Sequence, residues 1–72
     1  MEQTGLPALI AAAQEGDPVA YAAIADRLEE IGQAELASRA RWCVRGNRVA
    51  FLAPAALASI RQDCQALGLI RK

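Results

Sequence analysis

Three carboxylates, Asp26, Glu29 and Glu30, sit three and four residues apart within one turn of a helical pattern. Paired carboxylates that converge in a dry site can share a proton or hold a divalent cation. Both uses need burial and a second element to close the site, and a single helix face supplies neither. The plainer reading is a solvated acidic face. Close behind comes a basic cluster, Arg39, Arg41, Arg45 and Arg48, four arginines within ten residues. The chain has no lysine before Lys72. Guanidinium groups favour bidentate contact with carboxylate or phosphate over diffuse attraction. Trp42 lies among them, suited to be a stacking platform or an interface anchor. The competing reading puts Trp42 in the core and pairs the arginines with Glu35 and Asp26.

Little other chemistry is on offer. The chain has no histidine, which removes the commonest general base, triad partner and metal ligand. Ser38 and Ser59 fall inside helical patterns without the glycine context of a nucleophile elbow, and no glycine-rich phosphate loop is present. Cys43 and Cys64 are 21 residues apart and form no CxxC motif. They read as reduced, buried thiols on apolar helix faces rather than as a zinc site or a disulfide. The sequence therefore predicts no catalytic residue, no metal and no cofactor.

Charge is segregated along the chain. Residues 1–37 carry seven acidic side chains and one basic, residues 38–72 seven basic and one acidic, so a formal net charge of zero conceals halves of −6 and +6. Such a dipole can orient the molecule on a partner, dock it on a second copy, or pair its own helices.

The elements that must position these residues are helical. At 72 residues the chain is expected to form a single domain over 1–72. Its apolar fraction of 54% owes much to alanine, which suits closely approaching helices around a slim core, with a homodimer as one way to bury more surface. Thr4 as N-cap and Pro7 in the first turn open a helix that ends at Gly16. Asp17-Pro18 opens a second. In it Tyr21, Ile24, Ala25, Leu28 and Ile31 make one apolar stripe, until Gly32 stops it. A third helix begins at Ala34, with Leu36, Ala40, Cys43 and Val44 on one face. Arg41 and Arg45 point away from that stripe, and Arg48 continues their face.

The short link predicts an antiparallel hairpin over 18–45, in which facing residue numbers sum to about 65. That register sets Asp26 beside Arg39 and Ile24 beside Ala40. Gly46-Asn47 reads as a turn. The segment 46–53 is then irregular or short β: either a strand of a small hairpin with Trp42-Cys43-Val44, or a buried connector. Pro54 starts a last helix with Leu57, Ile60, Cys64 and Leu67 in register. Gly68 caps it, and Leu69-Ile70 tuck under the core. The expectation is an all-α fold: a small bundle of about four short helices built on an αα-hairpin.

The stretch Ala20-Tyr21-Ala22-Ala23-Ile24-Ala25-Asp26-Arg27-Leu28-Glu29-Glu30-Ile31-Gly32, followed by Ala34-Glu35 and Arg39, resembles the bacterial repeat-companion domain. That family carries a Tyr-Ala-Asp-x-Leu-Glu-Glu-x-Gly core. Here Ile24 intervenes between the aromatic Tyr21 and Ala25-Asp26, and Arg27 stands where tryptophan is usual. The resemblance implies an αα-hairpin and transfers no active site, since the family has no established activity.

No apolar run approaches the ~18–20 residues of a membrane span, and Met1-Glu2-Gln3 lacks the basic start of a signal peptide. A soluble, cytoplasmic chain that is not an enzyme is expected. The leading function is a small protein-interaction module, an adaptor or inhibitor-like accessory protein of the kind common in bacterial and phage accessory genes. It would bind an acidic protein surface through Arg41, Trp42, Arg45 and Arg48, with Asp26, Glu29 and Glu30 as a secondary acidic face. The alternative is a nucleic-acid binder using the same arginines, disfavoured by the acidic half.

Overall fold

The structure, a computed structural model, describes residues 5–70. Four helices account for most of it: α1 (Leu6–Gln14), α2 (Pro18–Glu30), α3 (Ala34–Trp42) and α4 (Ala53–Ala66). Two short antiparallel strands, β1 (Val44–Arg45) and β2 (Arg48–Val49), join α3 to α4. Thr4, expected to cap α1, lies outside the described residues, and the cap position is held by Gly5 without a side-chain bond.

Each boundary has a local cause. Asp17 caps α2 by accepting a hydrogen bond from the Val19 amide at 3.0 Å, and Pro18 supplies a first helical residue whose missing N–H costs nothing there. Gly32 ends α2 at a φ of +84°, a conformation that costs glycine little. Its N–H donates to the Glu29 carbonyl and the Gln33 N–H to the Leu28 carbonyl, the paired bonds of a Schellman cap. Gly68 closes α4 in the same way, with Leu69 N–H donating to the Cys64 carbonyl at 2.8 Å. Leu69 and Ile70 then fold back against the core.

The core is one cluster with a contribution from every helix. α2 supplies Ala20, Tyr21, Ile24, Ala25 and Leu28, and α3 supplies Leu36, Ala37 and Ala40. Leu6, Ile10 and Ala13 close it from α1, and Ala53, Leu57, Ile60 and Cys64 from α4. No polar or charged residue is buried among the described residues. The alanines let helices approach closely, and the radius of gyration of 10.9 Å is close to the ~11 Å of a compact chain this long. α2 packs most extensively on α3, then on α1, and α4 covers the remaining side. The stripe on α2 stops at Leu28: Ile31, expected to continue it, is the exposed C-cap.

The link between α3 and α4 is a β-hairpin closed by a two-residue turn. Gly46 occupies the first turn position at φ +63° while Asn47 keeps a negative φ, the pattern of a type II′ turn. Val44 pairs with Val49 and Arg45 with Arg48. The ladder carries one step further, with the Ala50 N–H donating to the Cys43 carbonyl at 2.8 Å. Because sides alternate along a strand, Val44 and Val49 pack on the core and Arg45 and Arg48 point out.

Candidate functional site

The arginine cluster divides into three environments, and helix geometry explains the division. Ala40 sits at the centre of the buried stripe of α3, so its neighbours on either side of the sequence flank that stripe on opposite sides. Arg41 leans toward α2 and Arg39 toward α4. Arg41 donates from Nη1 to Glu29 Oε2 at 2.7 Å and from Nη2 to Glu29 Oε1 at 3.0 Å, a bidentate fork, and from Nη2 to Asp26 Oδ1 at 3.2 Å. Arg39 donates from Nη1 to Asp63 Oδ2 at 2.8 Å.

The expected Asp26–Arg39 pair is therefore absent, and Arg41 is not on a free face. The register expectation had the helices correctly antiparallel but ignored side-chain direction. On a helix the Cα–Cβ bond tilts toward the N-terminus. A long side chain on α3 thus reaches back toward the α2–α3 turn, and Arg41 finds Asp26 and Glu29 together.

This pairing also resolves the crowding of carboxylates at the C-terminal end of α2, an unfavourable place for negative charge. Glu29 is met by Arg41, and Glu30 by Arg27 on its own helix at 3.1 Å. The Arg41 hydrogen bonds hold the Glu29 carboxyl below its ordinary value, and the same contact raises Arg41. Asp26, Glu29 and Glu30 all stay solvent-exposed. Among the described residues no three His, Cys, Asp or Glu side chains converge to hold a metal ion.

Arg45 and Arg48 are different. They face each other directly across the hairpin, and among the described residues neither has an acidic partner. Like charges placed opposite each other in a strand pair are destabilising. Large apolar side chains stand exposed at the base of the same hairpin. Trp42 ends α3 and is 56% exposed, which removes the reading that buried it in the core. Phe51 is 94% exposed and Leu52 57%, so 49–52 is not a wholly buried connector.

The sequence reading leaves Phe51 and Leu52 within a strand or connector and does not single them out as surface residues. The signal was present: the stripe of α4 runs Ala53, Leu57, Ile60, Cys64, and extrapolating it backward leaves Phe51 off the buried face. Trp42 also borders an open groove of about 460 Å³ between α3 and α4, floored by the small side chains Ser38, Ala56 and Ser59.

Both cysteines are free and fully buried, and burial pushes each thiol up from its ordinary value. Cys43 donates to the Arg39 carbonyl at 3.4 Å, a bond that ties it into its own helix. No helix in the described residues is long and apolar enough to cross a membrane. No protein-family model matches this chain, nor does any curated protein or solved structure. The resemblance to the repeat-companion domain accordingly rests on the residues quoted for it.

Proposed function

We propose that this chain is a small non-catalytic interaction module that docks an acidic protein surface with the hairpin end of its bundle. The observation that carries this reading is the Arg45–Arg48 pair: two exposed arginines opposite each other in the strand register, without an acidic partner among the described residues. A partner carboxylate between them converts a repulsion into charge-assisted hydrogen bonds. The exposed Trp42, Phe51 and Leu52 beside it supply the apolar area that anchors interfaces, where tryptophan and arginine are enriched. Arg41, included in the surface on sequence grounds, serves the α2–α3 pairing instead and leaves the proposed docking set. Its engagement also favours protein over nucleic acid, because the tip keeps two arginines for a phosphate backbone while α2 presents carboxylates.

The test is a paired capture from the native host, wild type against Arg45→Glu with Arg48→Glu, read by mass spectrometry. Far-UV circular dichroism establishes that both are folded. The wild type is expected to retain a partner that the variant loses, since disrupting a desolvated charge pair costs ~2–5 kcal/mol. A folded variant that captures the same proteins in the same amounts overturns the reading. Capture of nucleic acid with a steep salt dependence would replace it with the alternative.

A further inference from the structure

A second feature lies at the same end of the bundle. A half-enclosed hollow of about 170 Å³ opens where the end of α1, the start of α4 and strand β2 meet. Ala13, Val49, Pro54, Leu57 and Ala58 give it apolar walls. Its polar lining is Tyr21, Gln14 and Arg61. Pockets for whole small molecules typically enclose ~300–1,000 Å³, so this one has room for about a single side chain or an acid of a few carbons.

The Tyr21 residue is 1% exposed, yet its hydroxyl has no hydrogen-bond partner among the described residues. It is also not sealed from solvent, because no fully buried side-chain polar atom goes unsatisfied among the described residues. A buried tyrosine normally finds a partner for its O–H. Tyr21 is one of the residues that line the hollow. Burial raises the phenol above its ordinary value, so at neutral pH it stands as a donor. Arg61 is exposed and, like Arg45 and Arg48, has no acidic partner among the described residues. Two acids stand nearby in sequence, Glu15 and Asp17. Neither lines the hollow, and Asp17 is engaged with the Val19 amide.

We propose that this hollow is a carboxylate-binding site, in which Arg61 and the Tyr21 hydroxyl hold the head group and the apolar walls hold a short aliphatic stem. The shared chemistry is a carboxylate on two or three methylenes. Val49 lines the hollow and follows Arg48 in β2, so the hollow adjoins the proposed docking end, and the carrier we assign to the carboxylate is an acidic side chain of the docked partner. That choice of carrier rests on the proposed function, whereas the hollow itself is assayed without any partner.

The experiment is a titration of the full chain, followed by amide chemical shifts, with butyrate, butyramide and a blocked Ala-Glu-Ala tripeptide. Butyrate and the tripeptide are expected to shift Ala13, Tyr21, Val49 and Ala58 saturably, with the millimolar affinity usual for so small a ligand. Butyramide is expected to do nothing comparable. Arg61→Gln should weaken carboxylate binding by about tenfold or more, the worth of a charge-assisted hydrogen bond. Tyr21→Phe should weaken it several-fold with the melting temperature unchanged or raised, because it deletes an unpartnered hydroxyl.

Equal shifts from butyramide overturn the proposal, as does absence of saturation at about 100 mM butyrate or an unaltered affinity in Arg61→Gln. If butyrate binds and the tripeptide does not, the occupant is a free acid and the partner-borne source is overturned. Partner capture by a wild type that ignores butyrate sinks the hollow and leaves the proposed function standing. Butyrate binding without partner capture does the reverse.

Discussion

The α2–α3 seam and the hairpin tip both present arginine, and they use it in opposite ways. At the seam Arg41 is clamped by Glu29 and Asp26, so charge is balanced within the molecule. At the tip Arg45 and Arg48 face each other with no acid to meet them among the described residues. The seam lies over the packed core, close to Leu28 and Ala25. The tip projects beyond it, with Phe51 almost fully exposed at its base. The number of arginines in a stretch of sequence is thus not the number available to a partner. What decides availability is whether a neighbouring helix has already brought carboxylates within reach.

The largest expected effect tests whether the seam is structural and the tip is not. Leu28→Ala empties a fully buried site under the seam and should cost about 2–5 kcal/mol. Phe51→Ala at the tip should change stability by no more than about 0.5 kcal/mol. Urea unfolding followed by circular dichroism measures both. A Phe51 variant as damaged as the Leu28 variant would erase the contrast.

Charge reversal sharpens it with opposite signs. Arg45→Glu replaces a facing pair of like charges by an attractive one, and stability should rise by about 0.2–1 kcal/mol. Arg41→Glu adds an acid beside Asp26, Glu29 and Glu30, and the melting temperature should fall. A fall for both would mean that Arg45 has a structural partner after all, and a rise for both that Arg41 is not held by its acids.

The smallest effect is a pH dependence confined to the seam. The folded protein holds the Glu29 carboxyl below its ordinary value, so the unfolded chain binds that proton more readily. The pair's contribution is therefore complete above the ordinary carboxylate range and is lost as pH falls through the depressed folded value. Glu29→Gln should melt slightly below wild type near neutrality, and the two should converge in acid. The shift caused by Arg45→Gln should stay constant over the same range. Added salt should shrink the Glu29 effect, because the pair is half-exposed and screened.

Most of the architecture was legible because its signals are local. Asp17-Pro18 and Gly32 bracket α2 through capping chemistry that needs no tertiary context, and the Tyr21-to-Leu28 stripe fixes its buried face. Cys43 and Cys64 read as buried because each continues such a stripe. The candidate surface was legible only in part. Arg45 and Arg48 owe their outward placement to a hairpin whose strands are two residues each, too short to show alternation. Arg41 was misplaced because its partners depend on tilt and reach, which spacing along one helix does not encode. The hollow beside Tyr21 was invisible for a related reason: Ala13, Val49 and Arg61 come from three elements that only the closed bundle brings together.

The order of packing has a kinetic consequence. α1 lies on α2, α2 on α3, and α3 is joined to α4 by the short β1–β2 hairpin, so the main contacts join elements near one another in the chain. Chains of this kind search little conformational space before native contacts begin to reward them, and they fold in about microseconds to milliseconds. The contact between the first and last helices is the one that must wait for chain closure, and it is slighter than the contact of α2 with α3. The αα-hairpin is then the expected nucleus, and Leu28→Ala should slow folding while Leu57→Ala mainly speeds unfolding, a contrast that stopped-flow φ-values measure.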